Sequence, residues 1–424
     1  MQTKDPAART RPWWSRPGLE PTDGRLQIAG RDAEQLARDH GTPLFAYDLE
    51  RIREQVEALR SSYLRAGIAR SLVRLALKAQ REPEALALLR GLGPPGSDES
   101  VGIDACSPGE VLYALEQGWR SEEISYTGTN VSERDLDVIL AHPVHVNVDL
   151  VSQIERVGRR APGRTIGLRV NPRAGAGYTT GEQTLYARSD RPTKFGIYPE
   201  QLEQALEAAR RHDLEIDTVH FHVGDGFLTD QIPRFEAAVQ RVAEMTGWLR
   251  EQGCPIEEVN TGGGLGVPIT ESDEPLDLAA YAEMLARHLG PLDVVVAVEP
   301  GDFLTKESAV LLAEVVTVED RDGVTFVGVD AGWNLVNDRF IYHGRQAIVV
   351  TSAAEAPPTQ RVTIAGHINE GDDLFGEDEP LPAVHEGDVI AVLNCGSYAQ
   401  SMSIVHCLRP PAKAVFFGAR QASV

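Results

Sequence analysis

Five lysines, at positions 4, 78, 194, 306 and 413, stand among 36 arginines in this chain of 424 residues. Arginine keeps its proton at any ordinary pH, whereas a partly desolvated lysine can lose it and attack a carbonyl. Lys78 ends the apolar run LVRLALK. It reads either as a strand-end lysine reaching solvent or as an amine held for Schiff-base chemistry. His220 and His222 lie two apart in VHFHVG, so on a strand they share a face. A metal pair is one reading, but no acid or further histidine stands at ligand spacing, and no metal is expected. One core histidine beside one site histidine suits the pattern better. Gly262, Gly263 and Gly264 follow a strand-like run and precede Leu265-Gly266. Such a loop either closes its N–H groups on a phosphate or is only a flexible turn. Glu299 ends VVVAVE ahead of Pro300 and Gly301, where a carboxylate serves as a base, a ligand or a partner for a ring nitrogen.

These residues fall at the ends of short β-like runs, and helical periodicity follows most of the runs. Between about residues 45 and 300, strand and helix alternate about eight times, as a (β/α)₈ barrel requires. LFAYDL opens that series. On periodicity alone a doubly wound sheet competes with the barrel. Barrel sites lie at the C-terminal ends of the strands, where Lys78, His222, the glycines and Glu299 would converge. Beyond residue 305, runs such as AVLLAEVVTVED, VTFVGVDAG and DVIAVLNCG carry few helical patterns and read as an all-β domain. The expected organisation is an N-terminal arm over 1–44 packing with the β-domain, a barrel over 45–304, and the β-domain over 305–424.

Composition narrows the function classes. A net charge of −22 repels phosphate backbones and argues against nucleic-acid binding. No run reaches the roughly 18 apolar residues of a spanning helix, and the first 18 residues lack a signal peptide's apolar core. Cys106, Cys254, Cys395 and Cys407 are scattered, with no C-x-x-C pair. That points to a reducing cytoplasm rather than to a disulfide framework or a zinc site.

Taken in order, the motifs resemble one family. LALKA is similar to the lysine strand of the fold-type III pyridoxal-phosphate decarboxylases, GIDACSPGE to their G-A-D-x-x-S-x-G-E element, and TKFGI to S-K-F-G-I. HFHVG resembles H-x-H-I-G, TGGGLG the glycine loop, and VEPG the segment E-P-G-R. DAGWNLVNDRFIYHG, INEGDDLF and GSYAQSMS follow in family order. The resemblance spans roughly residues 43 to 420. It is strongest to diaminopimelate decarboxylase, with ornithine decarboxylase and alanine racemase more distant. It implies an alanine racemase-like barrel followed by a β-domain, and pyridoxal 5'-phosphate as cofactor.

The resemblance also assigns roles. Lys78 would hold the cofactor as a Schiff base, His222 would stack on its ring, and Glu299 would pair with the ring nitrogen. Gly262, Gly263 and Gly264 would face the phosphate, with Tyr398 and the residue at 225 near it. Arg339, Tyr342, Glu370 and the residue at 302 match substrate-side positions. The active site would form in a homodimer, with the Glu370 segment supplied by the other subunit. The substrate would be a small amino acid that loses CO₂.

Three positions depart from the pattern. Asn369 stands where the family places the cysteine implicated in protonating the substrate carbon. Asp225 replaces a phosphate-binding serine, and Asp302 an arginine that holds phosphate or a substrate carboxylate. The expectation is therefore decarboxylation of an altered substrate, an amino acid or a conjugated intermediate of a biosynthetic route. A true diaminopimelate decarboxylase, a non-catalytic binding relative and a racemase are the alternatives.

Overall fold

The computed structural model describes residues 11–94, 96–97, 99–177, 186–337, 341 and 345–418. The chain forms two units, one of residues 52–267 and 274–306, the other of residues 1–51, 268–273 and 307–424.

The first unit is a closed barrel of eight parallel strands. In chain order they are Ser71–Ala76, Val101–Ala105, Ile124–Thr127, His145–Val148, Thr165–Arg169, Glu215–His220, Glu258–Asn260 and Val295–Val298, and the eighth pairs with the first. Val, Ile and Leu at alternate positions suit a pleated strand buried on its outer face by helices. Several of those helices begin at a sequence-encoded cap. Ser107 accepts the Glu110 N–H at 3.1 Å to start Pro108–Glu116. Ser132 and Asp135 exchange bonds to start Glu133–Leu140, and Asp277 starts Leu278–Leu289. Each cap fixes where a strand-to-helix loop ends, and such loops build the barrel mouth.

The inner face of the barrel is polar. Arg74 on the first strand and Glu258 on the seventh form a two-pronged ion pair, at 2.6 and 2.8 Å. Asn147 donates to Ser125 and Thr127, each at 2.9 Å. The ion pair and the Asn147 amide N–H groups thus find partners inside the barrel, as groups removed from water must.

The second unit is built on an eight-stranded sheet. Ile348–Val350, Val389–Val392, Ala309–Arg321, Val324–Val329, Gln360–Ala365 and Leu374–Leu381 follow one another across it, with Leu44–Asp48 and Lys413–Phe417 attached. A three-stranded antiparallel meander, Leu19–Thr22, Arg25–Ile28 and Arg31–Asp32, precedes them. Leu26, Ile28, Leu36, Leu44, Leu312 and Leu393 share one core cluster there. One expectation is corrected. LFAYD is not a barrel strand, because Leu44–Asp48 pairs antiparallel with Ala309–Arg321 and parallel with Lys413–Phe417. Its residues are buried on both faces, and strand propensity alone does not say which sheet supplies the cover. Among the described residues, no helix is long and apolar enough to cross a membrane.

Candidate active site

Lys78 sits two residues beyond the first barrel strand. Its approach is stitched on both sides: Ala76 N–H reaches the Pro300 carbonyl at 3.5 Å, and Leu77 N–H reaches that of Asp104 at 3.0 Å. The amine is thereby carried between the ends of the second and eighth strands, and Lys78 is exposed at the mouth. Its charge bears on Asp104, Glu299 and His222 alike.

Glu299 lies one residue past the eighth strand and is 5 % exposed. One carboxylate oxygen is 2.9 Å from His220 Nε2, and the other accepts from Asn260 Nδ2 at 2.6 Å. Burial pushes its pKa up, against the pull of Arg74, Asn260 and Lys78. A buried carboxylate so held suits a cationic N–H better than a neutral group.

His222 is kept neutral, because burial, followed by Lys78 and Arg169, drives its pKa well below the ordinary value. Its Nδ1 accepts the Gly263 N–H at 3.3 Å, which places the ring proton on Nε2. The Tyr186 ring stands edge-on to it, with centroids 4.6 Å apart. The imidazole plane is thus fixed from two sides.

The glycine loop is set by close approach. Gly262 has φ +67°, a left-handed conformation that favours glycine. A Cβ on Gly263 would stand 2.4 Å from the Glu299 carbonyl oxygen, and one on Gly264 would stand 2.3 Å from that of Gly224. The loop packs backbone-to-backbone against the segments that carry Glu299 and His222. The three glycines therefore hold the site together whether or not an anion sits on their N–H groups.

Both acidic departures in the barrel have neighbours. Asp302 opens the short helix Asp302–Thr305 and lies 3.6 Å from Lys306 Nζ, with side chains 14 % and 5 % exposed. Its charge is met within its own helical turn. Asp225 is half-buried, and its charge helps to raise the Tyr186 phenol above its ordinary value, although burial does most of that.

The remaining expected residues belong to the second unit. Asn369 and Glu370 are exposed, and Glu370 lies 3.2 Å from His406 Nε2. The His406 ring is 5.2 Å from that of Trp333. Asp373 ties the loop by accepting the Trp333 and Ile368 N–H groups at 2.7 and 2.6 Å. Tyr398 is half-buried with φ +56°. Arg339 and Tyr342 lie outside the described residues.

Sequence reasoning missed several residues. His220 was open between core and site, and Asn260 carried no signal. Asp104, Cys106 and Glu110 stand in the quoted GIDACSPGE element but were assigned no role. Glu110 Oε2 accepts the Cys106 N–H at 2.6 Å, and the Cys106 thiol lies 3.9 Å from Asp104. Burial pushes both carboxyls up.

Pyridoxal phosphate fits this donor set. An exposed amine, a neutral imidazole face and a buried, doubly held carboxylate match the aldehyde, ring face and ring nitrogen of such a group. The comparisons agree. The family described as pyridoxal-dependent decarboxylase, pyridoxal binding domain, matches residues 49–306, more than half of the chain. Diaminopimelate decarboxylase of Methanothermobacter thermautotrophicus is 35% identical over 93% of this chain and 91% of its own length. The Escherichia coli enzyme of that name is 30% identical over 92% and 93%. The crystal structure of Helicobacter pylori diaminopimelate decarboxylase complexed with L-lysine superposes with a TM-score of 0.82 at 28% identity, covering 91% of this chain and 94% of that one. The chain belongs to the pyridoxal-dependent decarboxylases, enzymes that remove CO₂ from amino acids with pyridoxal phosphate as cofactor.

Proposed function

We propose that this chain decarboxylates an amino acid other than diaminopimelate, free or conjugated, within a biosynthetic route. The observation that carries this reading is the Asp302–Lys306 pair. By the resemblance, position 302 belongs to an arginine that holds a phosphate or a substrate carboxylate. Here the same turn presents an acid whose charge is met locally, so position 302 itself offers no cation to a carboxylate. Diaminopimelate carries a second carboxylate, and a substrate without one matches this site better.

Bound at the barrel mouth, pyridoxal phosphate supplies an electron sink for the pair left behind when CO₂ departs. The chain's own residues do the rest. Lys78 presents the primary amine that would hold the cofactor through its aldehyde and yield that place to the substrate amine. Glu299, fixed by His220 and Asn260, would accept from a protonated ring nitrogen. His222 would offer a neutral face to the ring, and the N–H groups of Gly262, Gly263 and Gly264 would hold the phosphate. Tyr398, Arg339, Tyr342 and Glu370 serve the substrate and phosphate ends. Asn369 has no proton to give near neutral pH, so protonation of the substrate carbon falls to Lys78 or to water.

The working form is a homodimer whose active sites each take the Glu370 segment from the other subunit. Ile404, Val405 and Leu408 flank His406, the neighbour of Glu370, and Leu408 is 89 % exposed. Such an apolar face, in reach of a substrate-side acid, suits burial by a second copy. Four free cysteines support a cytoplasmic location.

A second reading, true diaminopimelate decarboxylase, is favoured by the 35% identity over nearly the whole chain. A non-catalytic role suits the molecule less well, because Lys78, His222 and Glu299 are kept together with buried supports. Measuring CO₂ release from diaminopimelate, lysine, ornithine and a conjugated amino acid decides between the readings. Turnover of diaminopimelate alone overturns the altered-substrate reading and leaves the second.

A further inference from the structure

Glu299 is gripped from beneath by two strands. On the sixth, His220 brings Nε2 to 2.9 Å from one carboxylate oxygen, and on the seventh, Asn260 donates to the other at 2.6 Å. The carbonyl oxygen of the same Asn260 side chain accepts the Gly262 N–H at 3.0 Å. One amide therefore ties the carboxylate to the first residue of the glycine loop. His220 and Asn260 are 1 % and 0 % exposed.

The His220 proton can be placed. Burial, then Arg169, pushes the imidazole well below its ordinary value, so the ring is neutral and carries one proton. Its Nδ1 is buried without a hydrogen-bond partner. A proton on Nδ1 would be a buried unsatisfied donor, and Nε2 would turn a lone pair toward a carboxylate oxygen. Both costs vanish when the proton sits on Nε2 and is donated to Glu299. Both oxygens of Glu299 then accept from fixed donors, which favours the ionised form and sets the plane of the carboxylate.

We propose that His220 and Asn260 are positioning residues of the cofactor site: together they hold Glu299 oriented and ionised, and Asn260 couples that orientation to the glycine loop. The proposal rests on the reading of Glu299 as the ring-nitrogen partner. It goes further by naming what makes Glu299 fit for that task. Neither residue touches the cofactor; both act through groups that do.

The competing account is that these bonds only hold the barrel together. Binding of pyridoxal phosphate to the apoprotein, followed by absorbance, separates the two when read beside the melting temperature. The variants are Glu299→Gln, His220→Phe, His220→Gln and Asn260→Ala. A glutamine amide can reach the place of Nε2 and donate from it. His220→Phe and Asn260→Ala are expected to raise the Kd for pyridoxal phosphate by about 10–100-fold, the usual cost of losing an outer-shell partner. His220→Gln should recover most of that affinity, whatever happens to the melting temperature. If Glu299→Gln weakens binding while His220→Phe and Asn260→Ala bind as wild type, the proposal is overturned and the reading of Glu299 stands. The proposal is likewise overturned if His220→Gln binds no better than His220→Phe. If Glu299→Gln itself binds as wild type, the reading fails and takes the proposal with it. Should His220→Phe give no soluble protein, Asn260→Ala decides alone, since wild-type affinity in that variant overturns the proposal.

Discussion

The barrel mouth and the Glu370 loop of the second unit handle their polar groups in opposite ways. At the barrel mouth, Glu299, His220 and Asn260 are buried and joined at 2.9 and 2.6 Å. On the Glu370 loop, Asn369 and Glu370 are exposed, and the loop is held by the backbone bonds of Asp373. Groups that must present fixed charge to one unvarying cofactor repay rigid, buried support. Groups that recognise a substrate can sit on a surface and vary, provided something else covers them. The departures from the family pattern follow this division in part. Asn369 lies on the exposed loop. Asp225 and Asp302 lie in the barrel unit, but outside the buried triad.

The comparison is broken most directly by exchanging the burden between the two regions. Lys78→Ala should lower decarboxylation by about 10⁴-fold or more and abolish the borohydride-reducible absorbance of the loaded protein, since it removes the nucleophile itself. Asn369→Ala should cost less than about tenfold, because an exposed amide holds no proton the reaction needs. A loss at Asn369 as large as that at Lys78 would move the chemistry onto the loop and end the division between the two regions.

Removing Arg74 tests whether the buried half depends on its polar interior. Arg74→Leu leaves Glu258 buried and unpaired and should cost about 3–5 kcal/mol of stability at neutral pH, read as a fall in melting temperature. Arg74→Leu combined with Glu258→Leu should restore much of the loss. The acid dependence has a definite sign. Burial pushes the Glu258 carboxyl up, but Arg74 outweighs it and leaves the pKa below the ordinary value. Stability from this pair is therefore present above roughly pH 4.3 and is lost as pH falls through the lower folded value. Glu299 runs the other way. Its pKa is raised, chiefly by burial, so its contribution is present below the ordinary value and lost as pH rises through the folded one. The destabilising effect of Arg74→Leu should accordingly shrink in acid.

The difference between the two halves also explains what the sequence could say. The eight strand-helix alternations are local, and a period of two giving way to 3.6 can be read residue by residue. Lys78, His222 and Glu299 were legible because each stands in a short motif at a strand end. Asn260 was not. Its bond to Glu299 crosses 39 residues of chain, and no spacing rule links an amide on one strand to a carboxylate past the next. Arg74 and Glu258 are separated by 184 residues, with the same consequence. LFAYD shows the limit for folds: its composition announces a strand, while its partners lie about 270 and 370 residues further along the chain.

The exposed half is sharpened by asking what covers it. Val405→Glu and Leu408→Glu place charge on the apolar face beside His406, where Val405 is 64 % exposed. On the proposed homodimer, sedimentation should show a shift from dimer to monomer, with activity falling by about tenfold or more, while pyridoxal phosphate still binds to the barrel residues. A monomeric variant with full activity would show that the Glu370 loop is not shared between subunits.

The smallest expected effect bears on Asp225, whose charge reaches the Tyr186 phenol. Asp225 follows Gly224 directly, and Gly224 packs on Gly264 of the glycine loop. Its charge is felt by the Tyr186 phenol, the same ring that stands against His222. A carboxylate in that neighbourhood opposes a dianionic phosphate through the local dielectric. At an effective dielectric near 20, unit charges about 5–8 Å apart interact by about 2–3 kcal/mol before further screening. Half-exposure of Asp225 discounts this, so Asp225→Ser should tighten pyridoxal phosphate by a modest factor, up to about tenfold, and high salt should narrow the gap between the two proteins. Unchanged affinity would mean that neighbouring groups already meet the Asp225 charge, as Lys306 meets that of Asp302. Weaker binding would mean that the carboxylate supports the loop rather than opposing the ligand. In that case the buried triad and the acidic rim would form one unit, and the line between cofactor half and substrate half would have to be drawn beyond residue 225.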